Sequence, residues 1–285
     1  MTDAVRLGKA AEFRPARAAL FGCLTILATL FLAPTFGVVL SAFKTNREIS
    51  LGEFWSIPAT LYLGNFGEVI GNPAVGVYLL NTLLVAVPAA AASITLGVLA
   101  GWVFAKLRFR GSELLFLGVV SGMFFPPQIV LIPLFRLFGS LRLLDTLWAL
   151  IITHTAMGIP ICTLLMRNFF ATVPNALREC ALVDGVSEWQ TLTRIALPIS
   201  LPAIAVLATL QFTWIWNDFL WPLIFTQSDD KRTIMVGIVF LRGQYSVAWG
   251  LQGALSLIAS LPTLIVFLFF QRYFISGMTM GAVKG

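Results

Sequence analysis

The sequence predicts an all-α integral membrane protein with six transmembrane helices and a cytoplasmic loop of two short helices between the fourth and fifth. Three observations predict it. Only 11% of the 285 residues are charged and 58% are hydrophobic, whereas soluble domains run about 25% charged; the mean hydropathy is +0.90. Six apolar runs are long enough to cross a bilayer. Lys and Arg are distributed unevenly between the alternate connections.

The runs cover about 19–41, 78–104, 114–137, 147–168, 199–224 and 251–273. At 1.5 Å per residue, about 20 residues span a hydrocarbon core of about 30 Å. Lipid offers no hydrogen bonds, so each run must satisfy its backbone internally as a helix; the alternating pattern of a membrane barrel is absent. The first run is too long for a cleaved signal peptide and reads as a retained anchor. Prolines punctuate the others: Pro88 in the second, Pro126, Pro127 and Pro133 in the third, Pro160 in the fourth, Pro222 at the end of the fifth and Pro262 in the sixth. Each removes a backbone donor and allows a kink. Two connections are long, about 42–77 and 225–250.

With the N-terminus in the cytoplasm, the inner segments hold 12 Lys and Arg residues (Arg6, Lys9, Arg14, Arg17, Lys106, Arg108, Arg110, Arg167, Arg178, Arg194, Arg272, Lys284) and the outer ones 7 (Lys44, Arg47, Arg136, Arg142, Lys231, Arg232, Arg242). This bias places both termini inside. The resulting organisation is a cytoplasmic segment 1–18, a membrane domain 19–273 containing the loop at about 170–198, and a cytoplasmic tail 274–285. The net charge of +6 lies at the ends of apolar runs, so it reports topology rather than nucleic-acid binding. Cys23, Cys162 and Cys180 show no metal or disulfide spacing.

The loop between spans four and five reads E-C-A-L-V-D-G-V-S-E-W-Q-T-L-T-R-I-A-L-P-I-S-L-P from Glu179 to Pro202. Asn175 to Val183 holds good helix formers, with Pro174 at a first-turn position and Leu177, Cys180, Ala181 and Leu182 on one small, mostly apolar face. Asp184-Gly185 signals a turn, since glycine accepts positive φ. Ser187 with Gln190 fits a capping box that opens a second short helix towards Pro198. Such a pair could simply link two spans at the membrane surface, or its apolar knob could dock into a partner's groove.

This passage matches E-A-A-x3-G-x9-I-x-L-P, and in doing so resembles the signature loop of binding-protein-dependent ABC importer permeases. Glu179, Cys180 and Ala181 fall on E-A-A, Gly185 on the glycine, and Ile195, Leu197 and Pro198 on I-x-L-P; Cys180 for the first alanine is the one departure. Y-L-L-N-T-L-L (Tyr78 to Leu84), W-N-D-F-L-W-P-L (Trp216 to Leu223) and the ending R-Y-F-I-S-G-M-T-M-G-A-V-K-G (Arg272 to Gly285) resemble the carbohydrate branch, in particular the maltose-type second permease subunit.

The resemblance implies a coupling-helix loop seated in an ATPase partner, with Leu177, Glu179, Cys180, Ala181, Asp184, Gly185 and Trp189 as the contact set. It also implies a second, different permease subunit, two ATPase subunits holding ATP and Mg, an extracytoplasmic solute-binding protein, and a place in a bacterial or archaeal cytoplasmic (inner) membrane. The outer segment Thr226, Gln227, Asp229 and Asp230 would meet the binding protein. The tail from Gly281 to Gly285 is either a frayed terminus or a regulatory contact to the ATPase.

The chain has no phosphate loop of its own: its only Gly-Lys, Gly8-Lys9, is followed by Ala10 and preceded at the required spacing by Asp3. No catalysis and no cofactor are therefore expected in this chain. Polar residues inside spans are costly and often functional, which singles out Asn81, Gln128, His154, Gln211, Asn217 and Asp218 as solute-pathway candidates; each could instead bond a neighbouring helix. Trp214, Trp216 and Trp221 could stack on sugar rings or anchor the span at the interface. Two other classes compete. A self-contained secondary transporter would carry intramembrane charges and internal repeats, and a membrane enzyme would cluster catalytic groups at one interface. Buried charges are few, no clear repeat is found, and no such catalytic cluster appears.

Overall fold

The computed structural model describes residues 3–107, 109–241 and 248–282, with side chains over 17–107, 109–241 and 248–273. Arg108, Arg242 and the last three residues of the tail lie outside them. Among the described residues every regular element is helical, and the chain divides into two units, residues 1–71 with 242–258, and 72–241 with 259–285.

The first unit starts with α1 (Asp3–Ala42), followed by the short α2 (Asn46–Ser50) and α3 (Gly64–Gly71). α1 stops where Asn65 Nδ2 donates to the carbonyls of Ala42 and Lys44, at 2.9 and 2.8 Å, satisfying acceptors that the helix end leaves free. Thr45 and Glu48 form a capping box for α2. Lys44 is fully buried. Its ammonium donates to the carbonyls of Glu53 and Phe54 and to Ser56 Oγ, so this lysine holds the connection to α3 as well as counting towards topology. The unit also takes the first ten residues of α14 (Trp249–Ala282). There Gly253 lets the backbones close: a Cβ would lie 2.5 Å from Ser41 Oγ and 2.9 Å from Ala42 N.

The second unit is built on α4 (Pro73–Lys106) against α7 (Leu147–Thr172). Ser93, Gly97 and Gly101 recur every fourth residue on α4, and Gly158, Cys162 and Met166 do the same on α7. A Cβ on Gly97 would lie 2.2 Å from Cys162 Cβ, and one on Gly101 2.6 Å from Met166 Cβ. This is the small-residue packing that membrane helices use where hydrophobicity cannot drive association. Ile94, Val98, Trp102, Phe170, Leu192 and Leu207 extend the same core, with Trp102 and Phe170 edge to face at 5.3 Å.

Among the described residues, four helices are long and apolar enough to cross a membrane alone, at Arg17–Ala42, Pro73–Lys106, Leu147–Thr172 and Trp249–Tyr273. They overlap the first, second, fourth and sixth apolar runs, and Pro88, Pro160 and Pro262 lie inside them. The third and fifth spans correct the sequence reading. The third breaks into α5 (Ser112–Ser121, extended by a 3₁₀ turn to Phe124) and α6 (Pro127–Ser140), bent by 96°. Phe125 and Pro126 are extended (ψ 118° and 131°), because each precedes a proline and is pushed out of the helical region. The double proline therefore gives a break where a kink was expected.

The fifth span is also divided. At its start the helical stretch Glu188–Ile199, which lies almost wholly in the expected loop, meets α11 (Leu201–Trp216) at 75°. α11 holds 16 residues, about 24 Å of rise. It ends at Asn217, and after Asp218 and Phe219 the chain resumes as α12 (Leu220–Phe225), with α13 (Ile234–Phe240) beyond it.

Candidate functional site

The loop after α7 folds as the two short helices its turn signals predict. Its first helix, α8, covers Asn175–Val183, and Pro174 stands just before it instead of inside its first turn. α8 ends in a Schellman motif: Gly185 N–H bonds Leu182 O at 3.1 Å, Val186 N–H bonds Ala181 O at 2.9 Å, and Gly185 has φ +77°. Ser187 and Gln190 complete the expected capping box. The second helical stretch comprises α9 (Glu188–Thr191), a π-helical turn over Leu192–Ala196 and α10 (Leu197–Ile199). Arg178 clasps Glu188 across the bend with two hydrogen bonds, Nε to Oε2 at 3.1 Å and Nη2 to Oε1, the planar fork that fixes orientation.

The surface of this pair differs in part from the expected face. Leu177 and Trp189 are exposed, as are Glu179, Cys180, Asp184 and Gly185. Ala181 is buried and packs the pair internally. Val183, 86% exposed, is the apolar residue that the sequence reading left out.

Residues 226–233 form a second feature, held from two sides. Tyr78, Asn81 and Thr82 share one face of α4, as spacings of three and four require. Tyr78 Oη donates to Asp229 Oδ1 at 2.7 Å; Asn81 Nδ2 donates to the carbonyls of Asp230 and Arg232, both at 2.9 Å; Ile234 N–H donates to Thr82 Oγ1 at 2.8 Å. On the other side Asp145 Oδ1 accepts from the backbone of Gln227 and Ser228 at 2.8 and 2.9 Å, and Oδ2 from the Ser228 hydroxyl. The Ser228 hydroxyl, then the two backbone donors, hold the Asp145 carboxyl below its ordinary value. Thr226 is buried and bonded to Pro222 O at 2.6 Å, whereas Gln227, Asp229 and Asp230 are exposed.

The third feature is a cavity of about 260 Å³ bounded by Gly122, Met123, Phe125, His154, Met157, Gln211, Trp214, Asp218 and Trp221, among others. Its polar wall comes from three of the six pathway candidates. His154 Nε2 stands 3.4 Å from Asp218 Oδ2, with no hydrogen-bond partner among the described residues. Asp218 accepts from the backbone N–H groups of Leu220 and Trp221, each at 3.2 Å, so the break after α11 places a carboxylate at the start of α12, where the helix end favours negative charge. Gln211 Nε2 lies 3.4 Å from Gly158 O and from Cys162 Sγ.

The other three candidates lie elsewhere. Asn81 is engaged by residues 230–232, Gln128 is exposed on α6, and Asn217 is exposed and bonds Thr213 O at 2.8 Å. Trp221 lines the cavity, while Trp216 is buried with Nε1 on Ala259 O at 2.8 Å, a packing role that neither sequence reading of the tryptophans anticipates.

Asp145 and Tyr78 were missed as organising residues. Asp145 carried a signal: it is the single acid between Glu113 and Glu179, and an isolated acid beside an apolar run needs donors. Tyr78 lay inside the quoted Y-L-L-N-T stretch without a role.

Comparison with known proteins gives one consistent result. Residues 93–281 match the family model described as binding-protein-dependent transport system inner membrane component. A protein of Pyrococcus horikoshii named as a probable ABC transporter permease is 36% identical over 256 residues, 89% of this chain and 93% of that protein. The arabinooligosaccharides transport system permease of Halalkalibacterium halodurans is 31% identical over 264 residues, 91% of this chain and 93% of that protein. The crystal structure of a bacterial ABC transporter that imports the acidic polysaccharide alginate has a chain with a TM-score of 0.78 at 22% identity, covering 96% of this chain and 99% of that one, which is a likeness of fold.

Proposed function

The chain belongs to the family of inner membrane components of binding-protein-dependent transport systems, and from that premise we propose that it is the permease subunit through which a carbohydrate-class solute enters the cytoplasm, driven by separate ATPase subunits. It is an ABC importer permease of the membrane domain. Its six spans occupy 19–273, flanked by cytoplasmic segments 1–18 and 274–285. It pairs with a second, different permease. Hydrolysis and the ATP and Mg it needs belong to the two ATPase subunits. The name of the arabinooligosaccharide relative supports the solute class.

One observation carries the mechanical part. The helix pair 175–199 is bent at Gly185, clasped by Arg178 and Glu188, and presents Leu177, Val183 and Trp189 on its surface. A rigid knob with exposed apolar anchors and a charged rim of Glu179 and Asp184 suits a groove in an ATPase. As the ATPases close on ATP the knob travels with them, and the spans rock between inward- and outward-facing states as rigid bodies. On the opposite side, residues 226–233 meet the solute-binding protein through Gln227, Asp229 and Asp230. The cavity lined by His154, Gln211, Asp218 and Trp221 lies on the solute path; acceptor groups beside an indole suit hydroxyl-rich, uncharged rings.

Reconstitution tests this. The chain in proteoliposomes with its partner permease, ATPases and binding protein takes up solute only with ATP inside the ATPase compartment, and omission of the ATPases abolishes uptake. A purified chain that transports alone down an ion gradient would instead identify a secondary transporter.

A further inference from the structure

Lys106 is the last residue of α4 and the first charge of the K-L-R-F-R cluster, which suggests a lysine that marks topology. The structure turns it inward. Its residue is 8% exposed, and its ammonium donates to Val173 O at 2.6 Å and to Asn175 Oδ1 at 2.8 Å. Val173 caps the end of α7 and Asn175 is the first residue of α8. Between them Val173 and Pro174 are extended, with ψ 127° and 133°. This two-residue break between helices is the pivot about which α8 could turn against α4, its far end being tied to α9 through the Arg178–Glu188 clasp. The ammonium spans the pivot and fixes both sides to a third helix.

That third helix is the one best able to carry a load. Gly97 and Gly101 seat α4 directly on the α7 backbone, so α4 and α7 form one rigid pair. The far half of the loop is already attached, since Leu192 and Ala196 are buried in the core with Phe170 and Val173. The near half, α8, carries Leu177, Glu179 and Val183 and depends on the ammonium for its polar attachment to α4. A buried lysine bonded to a carbonyl and an amide gives up hydration. The acceptors are neutral, so its position contributes directed bonds rather than an ion pair.

On the reading of the helix pair proposed above, we propose that Lys106 is a positioning residue for energy coupling: it locks α8 to α4 so that displacement of the knob by the ATPases moves the α4–α7 pair instead of being spent in rotation about Val173 and Pro174. Loss of this lock leaves ATP hydrolysis running and disconnects it from transport.

The test uses the assembled transporter in proteoliposomes, with uptake and ATP hydrolysis measured in the same preparation. Lys106→Met keeps the aliphatic length and removes the donors; solute moved per ATP is expected to fall about tenfold, within the usual range of coupling free energies, with hydrolysis retained within about twofold. Lys106→Arg keeps donors and is expected to retain most of the ratio. Asn175→Ala removes one acceptor from an exposed position and is expected to lower the ratio by about two- to threefold, the lower end of one hydrogen bond's worth, which tests the lock without touching a buried residue. An unchanged ratio in both Lys106→Met and Asn175→Ala overturns the proposal. So does a parallel loss of uptake and hydrolysis at constant ratio, which marks Lys106 as a packing residue only. Failure of the underlying reading looks different: uptake by the unsubstituted complex would then be independent of the ATPases.

Discussion

Replacing Gly185 by Asp separates two reasons for a glycine at the bend. Inside the chain the substitution is mild. A Cβ at Gly185 meets nothing within 4 Å, so the internal cost is the φ of +77°. A left-handed residue costs about 1–2 kcal/mol, and Asp tolerates that region better than most. The isolated subunit should therefore insert normally and melt about 2–8 °C lower in detergent. In the complex the same carboxylate would sit on the docking surface beside Asp184 and Glu179, and pressing an uncompensated charge into a partner groove costs about 3 kcal/mol or more, on the order of a 100-fold loss of docking. The assay pairs a melting curve of the subunit with ATP-driven uptake by the assembled transporter. The expected result is a small shift in the first and a collapse of the second. Near-normal uptake refutes the docking argument, and a loss of stability far beyond a few kcal/mol refutes the claim that this glycine faces open space.

Two further outcomes follow from the packing and from the clamp on residues 226–233. Gly97→Ala places a methyl 2.2 Å from Cys162 Cβ and should destabilise the α4–α7 pair by about 1–3 kcal/mol, whereas Gly118→Ala, with nothing within 4 Å, should be neutral or stabilising; melting of both variants in one detergent decides. The Asp145 carboxyl is held below its ordinary value by Ser228, so its contribution is present above the unfolded carboxylate range and is lost as pH falls through the lowered folded value, below about 4. Protection of the Gln227 and Ser228 amides against hydrogen exchange should fall there, and Asp145→Asn should lower it at neutral pH by about tenfold and remove the acid dependence. Protection indifferent to both changes would contradict the clamp.

Much of this architecture was legible in local chemistry. The Schellman turn and capping box follow from Asp184-Gly185 and from Ser187 with Gln190, because each device needs particular residues at fixed offsets. The spans follow from length, since nothing but a helix satisfies a lipid-exposed backbone. What escaped reading depends on where a side chain points across the fold. Pro126-Pro127 announced a distortion without giving its 96° size. Lys44 and Lys106 count as topological charges, yet both turn inward, Lys44 to carbonyls nine and ten residues on and Lys106 to one 67 residues on. Asn81, a pathway candidate by its polarity, bonds the carbonyls of Asp230 and Arg232, while His154, Gln211 and Asp218, separated by up to 64 positions, share one cavity. Polarity within an apolar run told which residues need partners; tertiary packing decided which partners they found.

A helix pair seated against an ATP-binding chain is probed at its tip by photo-crosslinking from Val183, 86% exposed at the end of α8, in the assembled transporter. A crosslinkable residue at this position should capture an ATPase subunit, with a yield that changes when ATP is bound. Capture of lipid alone, or labelling of the same position by a membrane-impermeant reagent from the side of the solute-binding protein, would contradict it.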